Sequence, residues 1–190
     1  IMAGLDELRR SRQIENRNFL APTGFKFALR RSPKVAFFCN SANVPSLDLG
    51  IALQSTYLRD IPVPGDKIDF GDLTIRFLVD EDLGNYMELQ NWIRGLGFPE
   101  TLQEFDDLEK EPDVFGRYAR KGDNIYSDGT LQILSNNLVP KFQVFFNDLF
   151  PYSLTTLSFD ATDTDVDYFT AEVSFKYTLY KIQDMNGKDL

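Results

Sequence analysis

The chain has no histidine and only one cysteine, Cys39, in 190 residues. Histidine is the side chain that ordinarily titrates near neutral pH and most often serves as general acid, general base or transition-metal ligand. Serine or cysteine nucleophiles therefore lack their usual imidazole partner, and a zinc site lacks ligands. Neither a Gly-x-Ser-x-Gly elbow nor a Gly-x-x-x-x-Gly-Lys phosphate loop occurs. Only carboxylate-based catalysis is left open, so the expectation is a non-enzyme with no cofactor and no metal. Cys39 has no partner for an internal disulfide and, beside Phe37 and Phe38, reads as a small buried apolar residue. No apolar run approaches the about 18 residues of a membrane-spanning helix. The segment Leu5-Asp6-Glu7-Leu8-Arg9-Arg10 lacks the apolar stretch of a secretory signal.

What is present suits one domain with a substantial core: 43% apolar residues, including 17 Phe. Charge is unevenly placed. Residues 1–34 carry eight basic and three acidic side chains, net +5, which leaves 12 basic against 26 acidic in residues 35–190, net −14. An acidic body argues against gripping a phosphate backbone, which needs clustered Lys and Arg. It suits a surface that nucleic acid slides past, and equally a surface that simply keeps the protein soluble.

Periodicity predicts mostly strands. A polar segment, 4–18, carries at most one weak helical stripe through Leu5, Leu8 and Ile14. Phe25, Phe27 and Leu29 alternate, and 34–40 reads as a second short strand across Arg31-Ser32-Pro33, which together suggest an opening hairpin. After Pro45, Leu47, Leu49, Ile51 and Leu53 fall on one face, expected inward, and Asp48, Gly50, Ala52, Gln54 and Thr56 on the other. That second face is small and nearly uncharged, which suits either a channel wall or an ordinary solvent-facing sheet. Pro62, Pro64 and Gly65 then predict a loop or hairpin tip over 60–71. The stretch 72–80 returns to strand, with Leu73, Ile75, Phe77 and Val79 inward.

A helix is expected over about 82–96. Asp80, Glu81 and Asp82 suit its positive end, and Leu83, Tyr86, Met87, Leu89, Trp92, Ile93 and Leu96 form a broad apolar face. Trp92 reads as packing against the sheet rather than as a ligand platform. An acidic insertion, 99–124, follows, with seven acids and one lysine between Glu100 and Asp113. Its Leu102, Phe105, Leu108, Val114 and Phe115 argue against simple disorder and for packing on the outside of the barrel or between neighbouring subunits, with a solvated loop as the alternative. Strands resume at 130–134, 141–146 and 154–160, the last two separated by Phe150-Pro151-Tyr152, and end in a twelve-residue alternation, 169–180. Asp160, Asp163, Asp165 and Asp167 lack the glycine and final glutamate of an EF-hand loop and read as solvated acids.

The order Asn43-Val44-Pro45, then Ile61-Pro62-Val63-Pro64-Gly65-Asp66, then Leu73-Thr74-Ile75-Arg76-Phe77 with Asp80-Glu81, then a helix carrying Trp92 before Gly95, resembles the tail tube protein family of contractile-tailed (T4-like) bacteriophages. The resemblance implies a mainly β antiparallel barrel or sandwich with one flanking α-helix over residues 19–182, an N-terminal arm 1–18 and a C-terminal tail 183–190. It implies a structural virion protein of the phage tail, assembled in the host cytoplasm. Hexameric rings would join through inter-subunit β-sheet and stack into the conduit for DNA ejection. Its partners would be further copies of itself and the sheath and baseplate proteins, with DNA as non-sticking cargo. The lumen would be lined by Asp48, Gly50, Ala52, Gln54 and Thr56. Stacking would fall to Pro45, Pro62, Pro64, Gly65, Asp66, Arg9 and Arg10. A specialised baseplate-end or terminal ring of the same fold is the first alternative, and a monomeric β-sandwich binding module the second.

Overall fold

A computed structural model describes residues 19–97, 99–110, 125–159 and 168–189. Nine strands and three helices lie within them. In chain order they are β1 (Phe25–Leu29), α1 (Pro33–Phe37), β2 (Cys39–Ala42), β3 (Leu47–Ser55), β4 (Asp60–Phe70), β5 (Leu73–Leu78), α2 (Gly84–Gly97), α3 (Gln103–Lys110), β6 (Ser127–Leu134), β7 (Pro140–Leu154), β8 (Thr170–Lys176) and β9 (Leu179–Asp184). Seven strands form one antiparallel sheet in the order β1-β6-β7-β8-β5-β2, with β9 also on β7. β3 and β4 pair only with each other among the described strands. The architecture is mainly β and sandwich-like, without barrel closure among the described strands.

The core follows from strand alternation. Leu73, Ile75 and Phe77 of β5, Val144 and Phe146 of β7, and Ala171, Val173 and Phe175 of β8 are completely buried. Phe27, Leu29 and Leu131 join them from β1 and β6. Leu89 and Trp92 close the cluster from α2. Trp92 donates its indole N–H to the Ile125 carbonyl at 3.1 Å, and Arg31 stands over its ring at 5.0 Å. Burial with the polar tip satisfied makes Trp92 a packing residue.

β7 does the most to shape the sheet. It runs 15 residues straight through Pro151, so the expected break lies inside a strand; of the strand expected over 154–160 only Leu154 belongs to it, residues 155–159 are irregular, and Asp160 lies outside the described residues. Its first half lies between β6 and β9, and its second half pairs with β8. Asp148, at φ 55°, marks the switch, and a register shift beside Pro151 absorbs the missing donor. Opposite this bend the expected twelve-residue strand splits into β8 and β9 at Tyr177 and Thr178, which leaves Leu179 partly exposed rather than inward.

Other expectations are corrected as well. Residues 33–37 are helix, because Pro33 occupies the first turn where its fixed φ suits a helix and its missing N–H costs nothing. β1 pairs with β6 and β2 with β5, so there is no opening hairpin. Leu83 and Met87 point outward; Leu83 has φ 56° and precedes the helix rather than entering it. The helix is not alone on the flank. Part of the acidic insertion forms α3, whose Leu108 is buried at Gly95 of α2, while Arg94 pairs with Glu100 and with Glu104 at 3.1 Å. Gln183 and Asp184 belong to β9, and the chain turns back so that Gln183 bridges Asp189; the expected tail begins as strand.

Candidate assembly surface

The β3–β4 hairpin stands off the sandwich. Every residue of β3 is exposed, and β4 is exposed apart from the partly covered Val63, Gly65 and Phe70. The apolar alternation predicted for β3 is present, but its face is not inward. Leu47 lies opposite Phe70, Leu49 opposite Ile68, Ile51 opposite Pro64 and Leu53 opposite Pro62, so one face is an apolar stripe. Ile51 is 73% exposed and Leu53 67%. The other face carries Asp48 opposite Asp69, Ala52 opposite Val63 and Gln54 opposite Ile61.

Residues 60–70 form a strand rather than the expected loop, and the prolines explain how. A proline can hold a paired position where its nitrogen faces away from the partner strand. Pro62 and Pro64 are alternate residues of β4, so both put the missing donor on its outer edge. Between Leu49 and Ile51 the partner moves from Ile68 to Pro64, so Gly50 faces the three residues Gly65, Asp66 and Lys67. The two extra residues are an even number, which preserves the alternation beyond the bulge. The bulge also requires a glycine: a β-carbon on Gly65 would collide with the Gly50 peptide, 2.7 Å from its carbonyl carbon.

At the tip, Thr56 lies beyond the strand. Its hydroxyl bonds the Arg59 carbonyl and its amide donates to the same oxygen at 3.2 Å, leaving Tyr57 and Leu58 fully presented. Thr56 thus closes the turn and does not continue the face of Asp48, Gly50, Ala52 and Gln54. At the root, Pro45 is buried. Among the other stacking candidates, Pro62, Pro64, Gly65 and Asp66 sit together on β4, while Arg9 and Arg10 lie outside the described residues, as do residues 111–124 and Asp160 to Asp167.

The root is tied down by side chains that pattern reading missed. The Asn43 amide donates to the Asp72 carbonyl at 3.0 Å and accepts from the Thr74 amide at 2.6 Å, joining the chain entering β3 to the chain leaving β4. Gly71 donates to the Ser46 carbonyl at 2.9 Å, and the Tyr177 hydroxyl donates to the Gly71 carbonyl at 2.8 Å. Phe70 packs edge-on against Tyr177 and Tyr180, with ring centroids 6.1 and 5.6 Å away. Burial pushes the Tyr177 phenol up to about 12.

Beside this root, the Asp72 carboxylate receives the Lys176 ammonium on one oxygen and the Tyr152 hydroxyl on the other, at 2.6 Å. Lys176 lies 5.8 Å from the centre of the Tyr152 ring. Those two hydrogen bonds hold the Asp72 carboxyl below its usual range, and Asp72 in turn raises Lys176 and Tyr152. Across the molecule, fully buried Asn85 at the start of α2 donates to the Leu78 carbonyl at 2.8 Å and accepts from the Asp80 amide at 3.1 Å, fixing helix to strand. A polar residue inside an apolar helical face was its only signal.

No group of three or more His, Cys, Asp or Glu side chains among the described residues could hold a metal ion, and no helix there is long and apolar enough to cross a membrane. Cys39 is half-buried, with its thiol pushed up to about 11 by burial.

No family model matches the chain, and no curated protein matches it in sequence. Solved structures match in fold. A chain of the anti-feeding prophage cap, the tube-terminating cap, superposes with a TM-score of 0.59 at 15% identity, covering 92% of this chain and 97% of that one. A chain of the sheath–tube complex of an extracellular contractile injection system, PVC, in its extended state gives 0.55 at 15% identity, covering 89% and 94%. A chain of the anti-feeding prophage baseplate gives 0.54 at 12%, covering 90% and 96%. The chain has the fold found in these contractile-injection assemblies across nearly its whole length.

Proposed function

We propose that the protein is a structural subunit of a contractile tail, a tail tube protein that closes into rings and stacks to form the conduit through which DNA is ejected. The observation that carries this reading is the projecting hairpin. Two strands with an apolar face, both outer edges unpaired among the described strands, are marginal on their own and gain stability once a neighbour covers or extends them. The folds of chains from a sheath–tube complex, a cap and a baseplate support the same class. A role in assembly rather than catalysis follows, with sheath and baseplate proteins as partners and the phage virion as the destination.

In this arrangement Asp48, Gly50, Ala52 and Gln54 face the lumen, where small side chains and negative charge give DNA little to hold. The opposite stripe, with Pro62, Pro64, Gly65 and Asp66, meets the adjoining subunit or ring. Arg9 and Arg10 of the basic arm meet the acidic body of the next ring. Six subunits per ring is the number the resemblance brings. A terminal or baseplate-end ring is the second reading, favoured by the cap and baseplate chains superposing as well as the sheath–tube chain. A monomeric binding module would need an aromatic platform, and Trp92 is buried.

Negative-stain electron microscopy of the purified protein over a concentration series, alone and with a baseplate complex, tests the proposal. Long hollow tubes identify a repeated subunit, and isolated rings a terminal one. Monomers under both conditions would refute the tube reading.

A further inference from the structure

We infer that Asp72, Tyr152 and Lys176 form an orientation latch that sets the direction in which the β3–β4 hairpin leaves the body. Among the described strands the hairpin pairs with none of the seven-stranded sheet, so no ladder there fixes its angle. Only its root can. Asp72 lies in the two-residue link between β4 and β5, and its backbone is already joined to the entering chain through Asn43. Its carboxylate then reaches Tyr152 on β7 and Lys176 on β8, two strands paired to each other beside that link. The hairpin root and two paired strands of the sheet therefore meet at one carboxylate.

Stability does not explain the cluster. Tyr152 and Lys176 are exposed and the Asp72 side chain keeps 34% of its exposure, a setting in which a single ion pair contributes little to folding. What distinguishes it is geometry. Both carboxylate oxygens are engaged from different strands, and the Lys176 ammonium is steered over the Tyr152 ring. A carboxylate held on two sides has one orientation, and the peptide that carries it inherits that orientation. The packing of Phe70 on Tyr177 and Tyr180 holds the root at a second point, acting as the pivot about which the latch sets the angle.

The test measures direction. Spin labels placed by Leu58→Cys at the tip and Gln90→Cys on α2, in a Cys39→Ala background, report the tip-to-body distance distribution by pulsed electron resonance. The parent should give one narrow distribution. Asp72→Asn and Lys176→Met should broaden and shift it, and Tyr152→Phe should broaden it less, with circular dichroism and melting temperature unchanged. Superimposable distributions would overturn the latch and leave the aromatic pivot as sufficient. Unfolding of either charge variant would also overturn it, since the cluster would then be a folding determinant. The consequence for assembly rests on the tube reading: unlabelled Asp72→Asn should raise the concentration needed for rings or tubes. A broadened distribution with unchanged assembly would sink the assembly role of the hairpin and leave the latch standing.

Discussion

Replacing Ile51 and Leu53 together with threonine separates what the hairpin contributes to the subunit from what it contributes to the assembly. Burying an isoleucine or leucine side chain completely is worth about 1.5–3 kcal/mol. Ile51 and Leu53 retain 73% and 67% of their exposure, so roughly two thirds of that gain is still to be realised. Threonine keeps β-branching and strand propensity but loses most of the apolar surface. The pair of changes should therefore remove about 1.5–3 kcal/mol of contact energy per subunit, which raises the assembly threshold about 10- to 100-fold. The isolated subunit should shift by no more than about 0.5 kcal/mol per site, as for other exposed positions. Sedimentation over a concentration series reads the threshold, and urea denaturation of the subunit reads its stability. An unchanged threshold would mean that the apolar stripe stays wet in the assembly. A loss of more than about 2 kcal/mol in the subunit would mean that the hairpin already packs on the body, against the exposure described.

Trp92→Ala should cost about 3–5 kcal/mol in denaturant unfolding, because it empties a core site and frees the Ile125 carbonyl; a change below about 1 kcal/mol would remove Trp92 from the core. Gly65→Ala should disrupt the bulge, lowering assembly in a pelleting assay with little change in subunit melting; normal assembly would show that the close approach to Gly50 relaxes freely. Ala52→Arg should make assembled tubes retain DNA in a filter-binding assay, and tubes that remain indifferent to DNA would take Ala52 out of the lumen. Cys39 should be slow to alkylate at pH 8, with a thiolate population roughly a hundredfold below that of the denatured chain, as its value of about 11 against an ordinary 9.0 implies. Because folding raises this value, its stabilising contribution is complete below about pH 9 and is lost as pH climbs to about 11. Equal alkylation rates in folded and denatured protein would refute the burial.

Strands whose faces are decided within one subunit were readable as alternation. Leu73, Ile75 and Phe77, and Ala171, Val173 and Phe175, point inward as their period requires. The same rule misled for Leu47 to Leu53, because an apolar face says that something will cover it and not that the same chain does. Proline misled in the opposite direction. Pro62, Pro64 and Pro151 looked like strand breaks, yet an outer edge or a register shift tolerates a residue without a donor. The root of the candidate surface was illegible for another reason. Asn43 meets Asp72, and Asp72 meets Tyr152 and Lys176, across 29, 80 and 104 positions of sequence, and nothing local announces such pairs.

The prolines of β4 have a consequence for how copies can go wrong. An unpaired strand edge invites runaway addition of identical edges, the route to amyloid-like aggregates. Here the two edges of the hairpin are unequal. The β3 edge keeps its full complement of amides, whereas β4 lacks donors at Pro62 and Pro64. An edge that cannot donate at Pro62 and Pro64 is a poor template for a further strand, so unlimited edge-to-edge addition of identical hairpins is blunted on that side. The hairpin thus keeps an exposed apolar stripe while one of its two edges is guarded against the fibre.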